Sequence, residues 1–407
     1  MLSWVAACSA DGGGKPQSTS RDSAGIRIVE SSSPVWPAGE GWRLDDQPTL
    51  LIGSVDGPAA TQFTDVQGIV RLSDGRIVIA NGRNQELRCF SPSGSHMWTA
   101  GRAGKGPGDF VRLAAISLYR GDSILAFDFG LQRYSVFDTD GRFARSWSPE
   151  VPEEVDFYRN LALQGVWADG SIALRHSPVR RGKSPPEVTR RPLRLFRYSP
   201  DGRLLGRIGT FTGDEWYEGE GFGISRLPFG RGTRFAMLHD GVIVGTDDTY
   251  ELRHVRMDGS ITTIIRRPQA LRPLLPDVAR AELKRLQSTR SRERPRMFRG
   301  MPDSILAWIA ASEDRMFSTM QLPSTYPAYS RILASETSNL WVEVFKVDST
   351  STESTWSVFA EDGQWLGDVV LPSRFTLHVI FHDLLIGVQR DELDVEYVAV
   401  LSLRRPG

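Results

Sequence analysis

Apolar and polar positions fall in short runs separated by turn-forming residues along most of this chain. The clearest stretch is 65–110, DVQGIVRLSDGRIVIANGRNQELRCFSPSGSHMWTAGRAGKGPGDF. Ser73-Asp74-Gly75 separates GIVRL from RIVIA, and Asp-Gly between two apolar runs predicts a tight hairpin, whose central residues need positive φ. Ile77, Val78 and Ile79 are apolar without alternation, which predicts a strand covered on both faces. ELRCF follows as a third strand. Ser91-Pro92-Ser93-Gly94 is a second turn, and HMWTAG a fourth strand. The glycines and proline of GRAGKGPGDF leave a loop to the next unit.

This two-turn unit recurs. First turns stand at Asp74-Gly75, Gly121-Asp122, Asp169-Gly170, Asp240-Gly241, Ser338-Asn339 and His382-Asp383. Second turns stand at Ser93-Gly94, Asp140-Gly141, Asp201-Gly202, Asp258-Gly259 and Asp362-Gly363. Three of the five intervals between first turns are roughly 45 residues, the length of a four-stranded propeller blade with its connections. The two longer intervals are blades with insertions. The sixth unit reaches the C-terminus one strand short, and PTLLIG at 48–53, followed by SVDGPAATQF, imitates the missing fourth strand and its exit loop. The pattern therefore predicts an all-β, six-bladed β-propeller whose last blade is closed by an N-terminal strand, which removes the open sheet edge.

The segment Gly101-Arg-Ala-Gly-Lys-Gly-Pro-Gly-Asp-Phe110, taken with the repeats, resembles the bacterial six-bladed β-propeller family related to NHL-repeat proteins. Residues 322–344 and 356–372 also look like that family. The resemblance spans roughly residues 23–405. It implies the fold; it implies no one activity, because the members are mostly uncharacterised.

Before the propeller, 26–30 (IRIVE) and 42–44 are short strand patterns expected to run along its outside. Val5-Ala6-Ala7-Cys8 resembles a bacterial lipobox, with small residues ahead of a cysteine that is lipidated after cleavage. A Gly/Ser/Asp-rich tether follows. The expected organisation is thus a leader remnant and tether at 1–22 and the propeller at 23–407. Under the lipobox reading the address is the bacterial cell envelope, periplasmic or outer surface, with Cys8 the lipidation site and the membrane met only through the anchor. Cys89, inside ELRCF, is expected to be a small buried apolar residue.

Three insertions interrupt the blades. Residues 175–192 are polar and proline-broken, and read as a loop. Residues 210–232 form a long connection carrying Asp214, Glu215, Glu218 and Glu220. Residues 267–325 are the largest, with helical spacing in DVARAELKRLQ and a second apolar stretch, SILAWIAA, so a small helical lid is expected after blade four. Lys and Arg equal Asp and Glu over the chain, at 49 each. From 266 to 300, however, eleven Lys or Arg face three Asp or Glu. The lid's basic stretch is expected near the acidic residues of 210–232, partly paired and partly free for an anionic ligand or acidic protein surface. Trp98, Trp147 and Trp365 fall in fourth strands and are expected to pack between blades rather than to stack on a ligand.

All three insertions leave the same end of a propeller, which marks that end as the working face. Polar candidates there are Asn84, Arg102, Lys105, Arg112, Asp128, Arg133, Asn160, Arg175 and Asp247. No zinc spacing, nucleophile elbow or phosphate loop is present, so no catalytic residue is assigned. The reading is a non-enzymatic propeller that binds a small molecule or protein, is a monomer, takes no cofactor and does not bind nucleic acid. The alternative is a calcium-dependent hydrolase. Gluconolactonase-like propellers hold calcium at the axis, and that resemblance would assign Asp65, Gln67, Asn160 and Asp247 as its oxygen ligands. Gln67 stands where those proteins would want a glutamate.

Overall fold

The computed structural model describes residues 17–45, 47–155, 161–178, 185–221, 223–347 and 352–405. Six antiparallel sheets of at least four strands each follow one another along the chain. Blade one is Val66–Arg71, Ile77–Asn81, Glu86–Phe90 and His96–Ala100, in that order from axis to rim. The innermost strands touch in sequence from blade one to blade six, and blade six touches blade one, so the ring is closed. Second strands are the most apolar; every residue of Ile77–Asn81 and of Ile124–Asp128 is buried, because neighbouring blades cover both faces. The core is correspondingly split into six clusters, one per blade interface. Trp341, Trp356 and Leu377 fill that between blades five and six.

The closing strand is where the pattern placed it. Leu50–Ile52 pairs antiparallel with Glu396–Arg404, matching Ile52 to Val398, Leu51 to Ala399 and Leu50 to Val400. Arg43–Leu44 extends the same edge. The IRIVE run, as Ile26–Ser31, lies parallel to Ile261–Arg266 on the rim of blade four. The expected tether is sheet at its end: Ser18–Ser23 pairs with Ile26–Ser31 through a turn whose central residues, Ala24 and Gly25, have φ of 52° and 77°. Positive φ at both positions gives the turn a twist that suits a two-residue hairpin.

One contact recurs at the rim. Each of five fourth strands lies against the second-turn glycine of the following blade. Trp98 covers Gly141, Trp147 covers Gly202, and Ile208, Ile265 and Leu50 cover Gly259, Gly363 and Gly94. At Gly141 φ is 79°, and a Cβ there would sit 2.6 Å from the Trp98 ring. The tryptophans thus pack between blades as expected, and Trp147 also stacks on Tyr134 at 4.6 Å. Cys89 is fully buried, and burial pushes its thiol pKa up to about 11.

Two insertions differ from the loops expected. Glu187–Tyr198 and Leu204–Glu218 form one long hairpin that extends beyond blade three, and Ile224–Arg226 adds a third strand. Each segment alone is too polar and too broken by Gly and Pro to read as a strand, yet each supplies the other's backbone partners. Pro192, lacking an N–H, sits beside a register shift between Arg190 and Pro192, where the ladder is interrupted anyway. The lid is two helices, α1 (Pro276–Met297) and α2 (Asp303–Thr319), longer than their sequence signals. Among the described residues no helix is long and apolar enough to cross a membrane.

Gly141→Ala should lower stability by roughly 2–4 kcal/mol, from left-handed backbone strain and overpacking against Trp98. Gly121→Ala is the control, with φ of 59° but no atom within 4 Å of its Cβ, and should cost only the backbone part. Equal losses for the two in denaturant unfolding would show that the rim contact adds nothing.

Candidate functional site

The elaborated end is built around blades three and four. The hairpin of blade three carries the helical pair: Tyr217 and Leu227 pack with Met316, Phe317 and Met320, and Leu283 and Leu286 close the cluster. The Tyr217 hydroxyl lies 2.5 Å from Thr319 Oγ1. Arg191 joins the buried Glu218 at 2.6 Å within the hairpin. Arg190 crosses to blade four, reaching Asp248 at 2.8 Å and the Gly213 carbonyl at 3.0 Å. The lid rests on apolar contacts with the hairpin; its basic stretch was expected to pair with the acidic residues of 210–232, but Arg294 and Arg290 turn to Glu313 within the lid, at 2.6 and 3.6 Å.

Beneath this hairpin, arginines outnumber their partners. Arg234 binds Asp247 at 2.7 Å and Asp214 at 3.3 Å, and Arg226 also reaches Asp214 at 3.6 Å. Glu215 accepts the Arg231 backbone N–H at 2.8 Å, and the Arg231 guanidinium donates to Thr325 Oγ1. Arg175 projects among them from the second strand of blade three, with Asp214, Arg234 and Arg226 acting on its charge. It makes no hydrogen bond or ion pair with the described residues. Burial lowers its pKa below the usual arginine value. Arg190 Nη2, Arg231 Nη1 and Arg234 Nε are buried without acceptors, and the Tyr329 hydroxyl beside Arg234 is unpartnered. Burying a guanidinium N–H with no acceptor is costly, so the group is chemically complete only with an added anion or ordered water.

Asp247 is the acid at the centre. Burial pushes its pKa up to about 6, against the opposing pull of Arg234, the Gly232 N–H and Arg231; Asp248 adds to the rise. Its Oδ1 accepts the Gly232 N–H at 2.7 Å.

The other sequence candidates divide by role. Asp128 is fully buried and accepts backbone N–H groups of Val111, Arg112 and Leu131 at 2.7, 3.2 and 2.9 Å, so it holds the connection between blades one and two. Arg133 donates to the carbonyls of Lys105, Gly106 and Asp109, bracing the glycine-rich loop. Arg102 pairs with Asp109 at 3.2 Å, and Arg112 lies 4.7 Å over the Phe129 ring. Asn84 and Lys105 are exposed. Of the calcium set, Asp65 accepts Gln67 Nε2 at 2.7 Å, Asp247 is committed to Arg234, and Asn160 lies outside the described residues, as does Cys8. Among the described residues no three His, Cys, Asp or Glu side chains gather as a metal site would need. Arg175 and Asp247 are thus the two candidates the fold brings together. Arg190, Arg226, Arg231 and Arg234 were missed. Arg226, Arg231 and Arg234 sit in SRLPFGRGTRF, which matches no motif and reads only as loop.

No functionally curated protein matches the sequence. Among solved structures, the chain is similar to a candidate exported protein of Bacteroides fragilis, with TM-score 0.50 and 12% identity over 93% of this chain and 100% of that one. It is also similar to a DUF4221 family member of Bacteroides vulgatus, with TM-score 0.52 and 10% identity over 90% and 99%. A gluconolactonase of Xanthomonas campestris aligns over 91% of this chain and 99% of that one at TM-score 0.41 and 13% identity, too distant a likeness to carry an argument. Residues 63–151 match the family model DUF5128, described as a 6-bladed β-propeller. With six blades closed into one ring, the chain is a six-bladed β-propeller, the fold that the family model describes and these neighbours share.

Proposed function

We propose that this protein is a non-enzymatic binding propeller of the bacterial cell envelope, and that its ligand is anionic. The observation that carries the reading is Arg175, half-buried and without a hydrogen bond or ion pair to the described residues, beside three other arginines with unpaired buried N–H groups. A carboxylate or an oxyanion with several acceptor atoms satisfies such donors in charge-assisted hydrogen bonds. The blade three hairpin and the lid wall this site, as binding loops do on a rigid scaffold. Envelope location is supported by the lipobox-like Val5-Ala6-Ala7-Cys8 and by the exported Bacteroides fragilis neighbour.

Arg175→Gln tests the site with little structural risk. Sulfate, inorganic phosphate and small dicarboxylates should raise the melting temperature of the wild type above that in chloride of equal ionic strength. The variant should bind them on the order of tenfold to a hundredfold more weakly, the worth of a charge-assisted hydrogen bond. Without ligand it should be as stable as wild type or more so, because an uncompensated buried charge has gone. A destabilised variant with unchanged anion binding would make Arg175 structural. Stoichiometric calcium in the purified protein, with chelator-sensitive lactone hydrolysis, would replace the binding reading altogether.

The acid Asp247 sets the pH dependence. Its folded pKa is raised above the unfolded value, so its contribution to stability is full below the unfolded pKa and is lost as pH rises through about 6. Protonation also removes a negative charge beside Arg234 and Arg231. Sulfate, which stays fully ionised, should therefore bind more tightly below pH 6 than above, and Asp247→Asn should flatten that dependence. A wild-type profile that is flat between pH 4.5 and 7.5 (about one and a half pH units either side of the Asp247 midpoint) would contradict the assignment.

Anchoring is read from acyl labelling and membrane fractionation of the full-length chain. Wild type should carry label and partition to membranes, and Cys8→Ser should do neither.

A further inference from the structure

The outer end of the helical pair is unlike the rest of the surface. α2 has one apolar stripe. Its inner part, Ile309, Met316 and Phe317, is buried on the blade three hairpin and α1. Ile305 continues that stripe outward, four residues before Ile309 and 41% exposed, while Trp308 flanks it with one ring edge against Gly221 of the blade three hairpin and is 49% exposed. Met301 and Met297, at the turn between the helices, are 40% and 53% exposed. Three large apolar side chains, Met297, Met301 and Ile305, are therefore exposed close together at the turn between the helices, more than isolated surface residues require.

Charge surrounds this tip. Arg290 and Arg294 turn inward to Glu313. Arg292 and Arg296, four residues apart on α1, and Arg299, just past its end, are exposed and pair with no carboxylate among the described residues; the exposed acids of this stretch are Glu293 and Asp303. An exposed apolar tip next to arginines without carboxylate partners fits a bilayer surface bearing anionic headgroups: the arginines meet phosphates, and Met and Ile enter the boundary between headgroups and acyl chains. A groove on a protein partner would have to supply a deep apolar pocket inside an acidic rim, a more specialised match than lipid provides. We infer that the 297–308 tip of the helical hairpin docks the propeller on anionic membranes by shallow insertion. The inference departs from the sequence expectation that the membrane is met only through a lipid anchor, and it is independent of Cys8 and of the arginine site beneath the hairpin.

The test uses the non-lipidated chain, with Cys8→Ser, and vesicles of phosphatidylcholine alone or mixed with phosphatidylglycerol. Wild type should sediment with the mixed vesicles, less so at high salt, and not with phosphatidylcholine alone. Arg292→Gln/Arg296→Gln/Arg299→Gln should weaken binding on the order of tenfold to a hundredfold, from loss of three surface charges. Met301→Asp/Ile305→Asp should abolish it with the melting temperature unchanged, since both side chains are exposed. Brominated lipid should quench wild type more than Trp308→Phe. No binding to mixed vesicles overturns the inference. Binding that survives Met301→Asp/Ile305→Asp also overturns it, as adsorption by charge alone. Self-association lost in that variant, without vesicle binding, would make the tip a contact between copies of this chain.

Discussion

The packing of each blade's outermost strand on the tight turn of the next blade governs this structure. A blade cannot bury either of its faces alone. Six wedge-shaped interfaces must form together, and each needs the neighbouring turn to approach without a side chain in the way. Gly141 and Gly202 meet that need under Trp98 and Trp147, with positive φ and no room for a Cβ. Closure by Leu50–Ile52 completes the set: the strand pairs with Val398–Val400 and its Leu50 lies on Gly94, so the chain's beginning joins the last blade to the first.

Such a ring is stiff at the inner strands and tolerant at its ends, which is why additions accumulate on one end. Here the additions are mutually dependent. The blade three hairpin exists because two insertions pair with each other, and the lid stands because Met316 and Phe317 find Tyr217 and Leu227 on that hairpin. The same construction leaves two kinds of uncompensated surface. Underneath, guanidinium groups crowd Asp214 and Asp247 and exceed the acceptors available. Outside, Met297, Met301 and Ile305 stay exposed at the turn between the helices.

Asp128 shows how a polar residue on the working face can be wholly architectural. Its carboxylate is fully buried and accepts three backbone N–H groups, so it is turned to the chain rather than to a ligand. Arg133 is spent likewise on carbonyls of the glycine-rich loop. Arg175 differs only in lacking any such partner, a distinction of geometry rather than of residue type.

The sequence by itself determined the blade count, the closing strand and the buried second strands, because these rest on local signals. Asp-Gly pairs mark the turns, although positive φ falls on the glycine alone, as at Gly75, Gly141 and Gly170, and not on the aspartate as well; Ile77-Val78-Ile79 is intelligible only between two covering layers. It also determined that 267–325 is helical and basic. It left the blade three hairpin unseen, since Glu187–Tyr198 and Leu204–Glu218 are strands only in each other's presence, and backbone pairing across a long hairpin leaves little trace in either segment. It could not join Arg175 to Arg190, Arg231 and Arg234, which three separate connections bring together. Nor could it separate Arg290 and Arg294, turned onto Glu313, from Arg292, Arg296 and Arg299, left facing out. Those assignments depend on which side of a helix meets another element, and only the tertiary structure decides that.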